Sequence, residues 1–305
     1  MTTDVFAELA NCLDALHDDL RSLIHEKRNY VPGSPAAVDC EGEPFAAEWG
    51  KAPAQGAIGH ALLCTNSHLD HLAAAAVLIQ SHRVSTSLYT VMRDASEAAV
   101  IASYVLDPAI DTRERLRRSM SCRLDGLCEQ IAMVEPFADK PEAAAIKVRL
   151  QASVAEIERS ARTFGFTFHK AKKYSPAYLG DRLPGIMTLI DDSACDAPGV
   201  SAGLCRVMSG VARSGAHGLI RLTMPSVLEG AVGADGSDRR VMQVNLSAET
   251  LAQDLFAGPL CASTVVEYLL PYLGWDPERL KPAVVGMLET WGRVRGTAYP
   301  GPEYR

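Results

Sequence analysis

Cys64, His68 and His71 fall at i, i+4 and i+7, which sets three potential metal or proton ligands along one stripe of a helical segment. Asn66 and Asp70 occupy the neighbouring faces. Two histidines three apart can chelate a metal, but a closed site needs further ligands, ideally carboxylates from facing helices. The next helical segment offers Asp94 and Glu97, with Arg93 one turn before Glu97. If the two segments are antiparallel neighbours, His68, Asp70, Arg93 and Glu97 meet between them. The competing structural reading is a satisfied Arg93–Glu97 ion pair and a packed, hydrogen-bonded histidine. HExxH and the E-x-x-H di-iron signature are both absent, so no metal and no other cofactor is expected. The group suggests instead a polar pocket, because ionisable groups on apolar helices lose solvation and need partners or a ligand.

A second set lies in the run 206–218. Arg206, Ser209, Arg213 and His217 are spaced at three and four and share a helix face. Arginine beside histidine could hold an anion while the histidine moves a proton near neutral pH. The alternative is a polar face packed on neighbouring structure, with the local glycines easing its approach. Weaker signals include Asp191, Asp192 and Asp196, which resemble an acidic magnesium motif but lack a second such motif downstream. Gly233-x-x-Gly236 reads as a turn, and Ser214 lacks a nucleophile-elbow context. The basic stretches Arg113–Arg118 and His169–Lys173 read as a solvated helix face or loop.

The elements that must position these groups are mostly helices. Apolar residues from Val5 to Ile24 keep a three-to-four spacing, with Asp4 placed to cap the helix, which extends to Arg28. Val31–Pro44 reads as a loop. Helices are expected over Ala57–Arg83, from Ser85 or Thr86 to Leu106, from Asp111 or Thr112 to Val134, and from Pro141 to Thr163. A mixed, irregular stretch follows over Phe166–Pro184. A short helix is expected at Ile186–Asp192, and a glycine-containing one over Ser201–Leu222. Val227–Val232 and Arg239–Leu246 flank turn residues and predict a hairpin. Ser247 caps a helix to Leu273, bent near Pro259, and Asp276-Pro277 opens the last one, to Arg295. The fold class is therefore all-α, mainly a helical bundle, with one short β-hairpin near 227–246. Residues 1–165 would form an N-terminal bundle with 166–305 packed on it, or the whole would be one domain.

Composition fits this. Of 305 residues, 48% are apolar, 22% charged and only 6% aromatic, which suits a globular chain and favours helix over sheet. The net charge of −7 makes nucleic-acid binding unexpected. Eight cysteines, none in a C-x-x-C pair, read as reduced core residues and suggest a cytoplasmic setting. No uninterrupted apolar run reaches the roughly 18 residues of a membrane span, so no membrane partner is expected.

Some of these runs carry a resemblance. His68-Leu-Asp-His-Leu72, Met92-Arg-Asp-Ala-Ser-Glu-Ala98 leading to Tyr104-Val-Leu-Asp-Pro108, Arg206-Val-Met-Ser-Gly210 and Ala216-His-Gly218 resemble a set of actinobacterial helical proteins that in turn resemble HEPN-type bundles. The similarity touches 58–120 and 200–222 through short motifs. In HEPN ribonucleases an arginine and a histidine with four to six residues between them cut RNA. The resemblance implies those roles for Arg213 and His217, although only three residues intervene here.

The reading preferred from sequence is an interior pocket for a small, anionic molecule. His68, Asp70, Arg93 and Glu97 would line it from one half, and Arg206, Ser209, Arg213 and His217 from the other. Acid–base catalysis would run through His217, His68 or Glu97. A HEPN-like RNA-cleaving protein and a non-catalytic interaction protein are the alternatives. A two-fold homodimer is the default assembly.

Overall fold

The computed structural model describes residues 4–41, 53–81, 86–172, 176–193, 200–213, 223–232, 238–244 and 247–296. Among them are eleven α-helices and two short antiparallel strand pairs, so the fold is all-α with minor β structure.

Helix α1 (Val5–Lys27) starts where Asp4 accepts hydrogen bonds from the Phe6 and Ala7 amides. It buries Leu9, Leu13, Leu16, Leu20 and Leu23. The segment expected as a loop contains a short helix, α2 (Pro35–Glu41). Its proline sits at the first helical position, and Ser34 accepts a hydrogen bond from the Ala37 amide, a capping signal that the surrounding Pro, Gly and acid obscured. Helix α3 (Pro53–Gln80) starts earlier than its periodicity suggested. By length and composition α3 is long and apolar enough to cross a membrane, yet its Ala57, Ala61, Leu69, Leu72, Ala76 and Ile79 pack into the core.

Helix α4 (Thr86–Leu106) is central: α3, α5 (Thr112–Val134), α7 (Ile186–Ser193), α8 (Val200–Ala212) and α10 (Ala257–Leu273) all touch it. α10 packs closely on α4 at Gly258, where any side chain would overlap the Met92 sulfur. Helix α5 begins at Asp111, whose carboxylate accepts the Glu114 amide at 2.8 Å. Helix α6 (Pro141–Thr163) folds back along α5 and ends before Gly165, which holds φ +72°. Between α6 and α7 the expected irregular stretch contains one ordered feature. Strands β1 (Phe168–His169) and β2 (Tyr178–Leu179) pair, and β2 lies against α5.

The described part of the glycine-containing helix is α8 (Val200–Ala212). Residues 214–222 lie outside the described set, and strand β3 starts at Thr223. The hairpin joins β3 (Thr223–Val232) to β4 (Asp238–Val244), with Thr223 opposite Val244 and Val227 opposite Arg240. The long helix expected after Ser247 is two: α9 (Ala248–Leu255) and α10, divided at Phe256. Pro259 then falls in the first turn of α10, where its missing N–H costs no intrahelical bond. A 3₁₀ turn at Pro277–Arg279 precedes α11 (Lys281–Val294).

One large core runs from Leu9 and Leu13 through α3 and α4 to Met287 and Trp291 of α11. Trp291 is fully buried and donates its indole N–H to the Leu9 carbonyl at 3.3 Å. A smaller cluster (Met120, Leu124, Ile157, Ala161 and Leu179) joins α5, α6 and β2.

Candidate ligand pocket

The residues singled out from sequence take separate places. His68 is 1% exposed, wedged between α3 and α4, and its Nδ1–H donates to the Ala95 carbonyl at 2.9 Å. Burial lowers its pKa to about 4, so the ring is neutral at physiological pH. Its Nε2 is buried with no hydrogen-bond partner among the described residues. Asp70 points the other way, exposed on the surface and 3.8 Å from Arg21 of α1. Arg93 and Glu97 form a half-buried ion pair along α4. Burial pushes the neighbouring Cys205 thiol of α8 up to about 12, Glu97 reinforcing the shift and Arg93 opposing it. The pair therefore sits on the α8 side of α4. On α8, Arg206 and Arg213 are exposed and Ser209 is half-buried. His217 and Asp196 lie outside the described residues. Among the described residues, no three His, Cys, Asp or Glu side chains gather as metal ligands.

An open pocket between the helices lies elsewhere. A volume of about 380 Å³ opens between the C-terminal part of α4, the first turns of α5, the loop after β2, α7 and α10. Val100, Leu189 and Pro184 give it apolar wall; Ser103, Tyr104 and Tyr268 add hydroxyl groups; Arg117, Arg118 and Arg182 supply the positive charge. Asp107, Glu114, Asp181 and Asp192 also line it. The volume falls within the range of small-molecule sites, while the lining is more polar than most of them.

The polar wall is built from one helical turn. Glu114, Arg117 and Arg118 stand at i, i+3 and i+4, so their side chains stack on one face of α5. Arg117 grips the Glu114 carboxylate with Nε and Nη2, both at 2.6 Å, and Arg118 Nε adds a third bond at 2.9 Å. These bonds, Arg117's foremost, hold the Glu114 carboxyl below the usual carboxylate range and raise the Arg117 pKa in return. Arg118 reaches back to α4, donating through Nη1 to the Tyr104 carbonyl (2.9 Å) and to the Asp107 carboxylate (3.0 Å). Its guanidinium lies over the Tyr104 ring at 4.3 Å. Arg117 Nη1 reaches forward to the carbonyls of Leu179 (2.9 Å) and Asp181 (2.8 Å). Gly180 between them holds φ +58°, and a side chain on it would press on the Arg117 stem. Burial raises the Tyr104 pKa, keeping the phenol protonated.

The donors are not all spent. Arg118 uses Nε and Nη1, and Nη2 meets no acceptor among the described residues. Arg182 is exposed at the pocket rim. The arrangement can therefore receive an anionic or strongly accepting group beside an apolar wall.

The expectation that Arg113–Arg118 is a solvated face is overturned: Arg115 is 3% and Arg117 8% exposed. Arg115 sits behind the pocket wall, bonded to Asp39 of α2 at 3.0 Å and to the carbonyls of Val105, Asp107 and Ile110. Thr112 and Tyr272 complete the Asp39 carboxylate at 2.5 and 2.9 Å. The legible signal was the Glu114/Arg117/Arg118 spacing behind a capping Asp111. The acceptors, 62 and 64 residues downstream, carry no local signal. No known protein family, no characterised protein and no solved structure matches the chain.

Proposed function

We propose that the protein binds a small polar molecule in the cavity between α4, α5 and α7. One observation carries this reading. Two arginines of α5, with side chains 10% and 16% exposed, are held rigidly on the wall of a cavity of about 380 Å³, and one of them keeps a donor edge unused. Ordering arginines this way costs side-chain entropy, and a site that pre-organises them lowers that cost for its ligand.

The reading moves the site from the residues expected from sequence to Arg117, Arg118 and Arg182. It favours binding over acid–base catalysis. His68 is sealed and neutral, and no histidine lines the cavity among the described residues. The test is to fill the space. Leu189 is half-buried on the wall, at the edge of the large core, so Leu189→Trp adds bulk at the cavity. Native mass spectrometry and a thermal-shift screen of metabolites on the wild type should reveal a retained or stabilising compound. Leu189→Trp should lose it while keeping the helical circular dichroism spectrum. Equal retention in both proteins would refute the assignment.

A further inference from the structure

The far half of the α5–α6 hairpin has little to pack against. From residue 128 to residue 156 no side chain is buried. α6 packs on α5, with smaller contacts to the 3₁₀ turn at Glu135–Phe137 and to β1. Yet this stretch holds Met133, Phe137, Ile146 and Val148, half of the large apolar side chains exposed among the described residues. Helices in folded proteins owe most of their stability to the burial of an apolar face, and two helices alone bury little.

Helix α6 is apolar on two opposite faces. Leu150, Val154, Ile157 and Ala161 join the small cluster shared with α5. On the other side Ala145, Val148, Ala152 and Ala155 are exposed at spacings of three, four and three, the seam spacing of a coiled coil. A surface helix ordinarily carries polar residues there. Helix propensity accounts for the alanines but not for Val148, a β-branched residue that is 64% exposed. Arg149 and Glu156 run along one edge of this seam, seven residues apart, and neither has an ion-pair partner among the described residues.

We infer that α6 is a dimerisation helix and that its partner is α6 of a second copy of this chain, running antiparallel across a two-fold axis. Such an axis sets the same edge of both helices side by side, so a self-pairing helix needs both signs of charge on that edge. Arg149 and Glu156 supply them. With the axis between residues 153 and 154, Ala152 of each copy lies opposite Ala155 of the other, and the stem of Arg159 covers Val148. Arg149 then comes within about 3 Å of the level of Glu156 along the helix. A parallel pair would set the charged edge against Ala144 and Gln151 and leave both charges unmatched. Alanine layers bury little area, so the dimer is a transient one, with a dissociation constant of about 10–100 µM.

Sedimentation equilibrium of the full chain, from about 1 to 300 µM, tests this. The wild type should pass from monomer to dimer over that range. Arg149→Glu should weaken the dimer about tenfold, because each dimer holds two such pairs and both become repulsive. Adding Glu156→Arg to Arg149→Glu should restore it. Ala152→Arg, at an exposed position where arginine is also a good helix former, should leave a monomer with an unchanged circular dichroism spectrum. A wild type that stays monomeric throughout would overturn the inference. So would a dimer that Arg149→Glu and Ala152→Arg leave intact, or a loss in Arg149→Glu that the charge exchange does not rescue.

Discussion

His68 shows how a residue type that suggests catalysis can be bound to a structural task. Its Nδ1–H is committed to the Ala95 carbonyl, and burial favours the neutral ring. The unfolded chain binds that proton at the ordinary histidine pKa near 6.5, the folded chain only near 4. The unfolded state therefore gains protons first as pH falls. The native advantage is complete above about pH 6.5, declines between 6.5 and 4, and is flat below. A gap of that size corresponds to about 3 kcal/mol across the window. His60, whose pKa burial also lowers, adds in the same direction. Urea unfolding at pH 8, 6 and 4.5 should show the wild type losing stability relative to His68→Leu as pH falls. A difference between the two proteins that does not change with pH would contradict the assignment. The sequence drew attention to this histidine through its spacing with Cys64 and His71. What it could not convey was that the ring's partner is a backbone carbonyl of α4, which every residue type supplies equally.

Among the elements, those with strong caps were the most legible. Asp4, Asp111 and Ser247 all cap where their side chains suggested, because capping is a contact within three residues. Long-range contacts set the rest. The division between α9 and α10 at Phe256 has no obvious local cause in a run that reads as continuous helix, but Gly258 shows its use. A Cβ there would overlap the Met92 sulfur and lie 2.9 Å from Met92 Cγ, on a residue that is itself fully buried. The glycine lets α10 approach α4, and α4 and α10 both wall the cavity. Gly258→Ala should destabilise the protein by about 1–3 kcal/mol through overpacking, even though alanine is the better helix former. A lowered midpoint of thermal unfolding checks this; an unchanged or raised midpoint would mean that α10 does not need the close approach. Arg115 performs a similar joining task at the other end of α4. It satisfies the carbonyls of Val105, Asp107 and Ile110 and ties them to α2 through Asp39 and to the Tyr272 ring, over which its guanidinium lies at 4.3 Å. A charge run read locally as solvent-facing is thus a buried clamp, because its acceptors are contributed by other elements.

For the whole molecule, the all-α architecture was legible because helical periodicity and composition act over whole segments. The site was not, because it depends on which helix ends meet. The sequence grouped His68, Asp70, Arg93 and Glu97 by assuming that α3 and α4 share one polar face; in the fold they face the α3–α4 seam, solvent beside α1, and α8. The cavity instead forms where α4 ends, α5 begins and the loop after β2 folds back onto Arg117. On the proposed function, this cavity, and not the exposed arginines of α8, receives the ligand. Nuclear magnetic resonance of the guanidinium groups tests it most directly, by titrating the strongest compound from the thermal-shift screen into ¹⁵N-arginine-labelled protein. The signals of Arg118 and Arg182 should shift in a saturable way while those of Arg206 and Arg213 stay in place; movement of Arg206 and Arg213 with Arg118 and Arg182 unchanged would contradict the account.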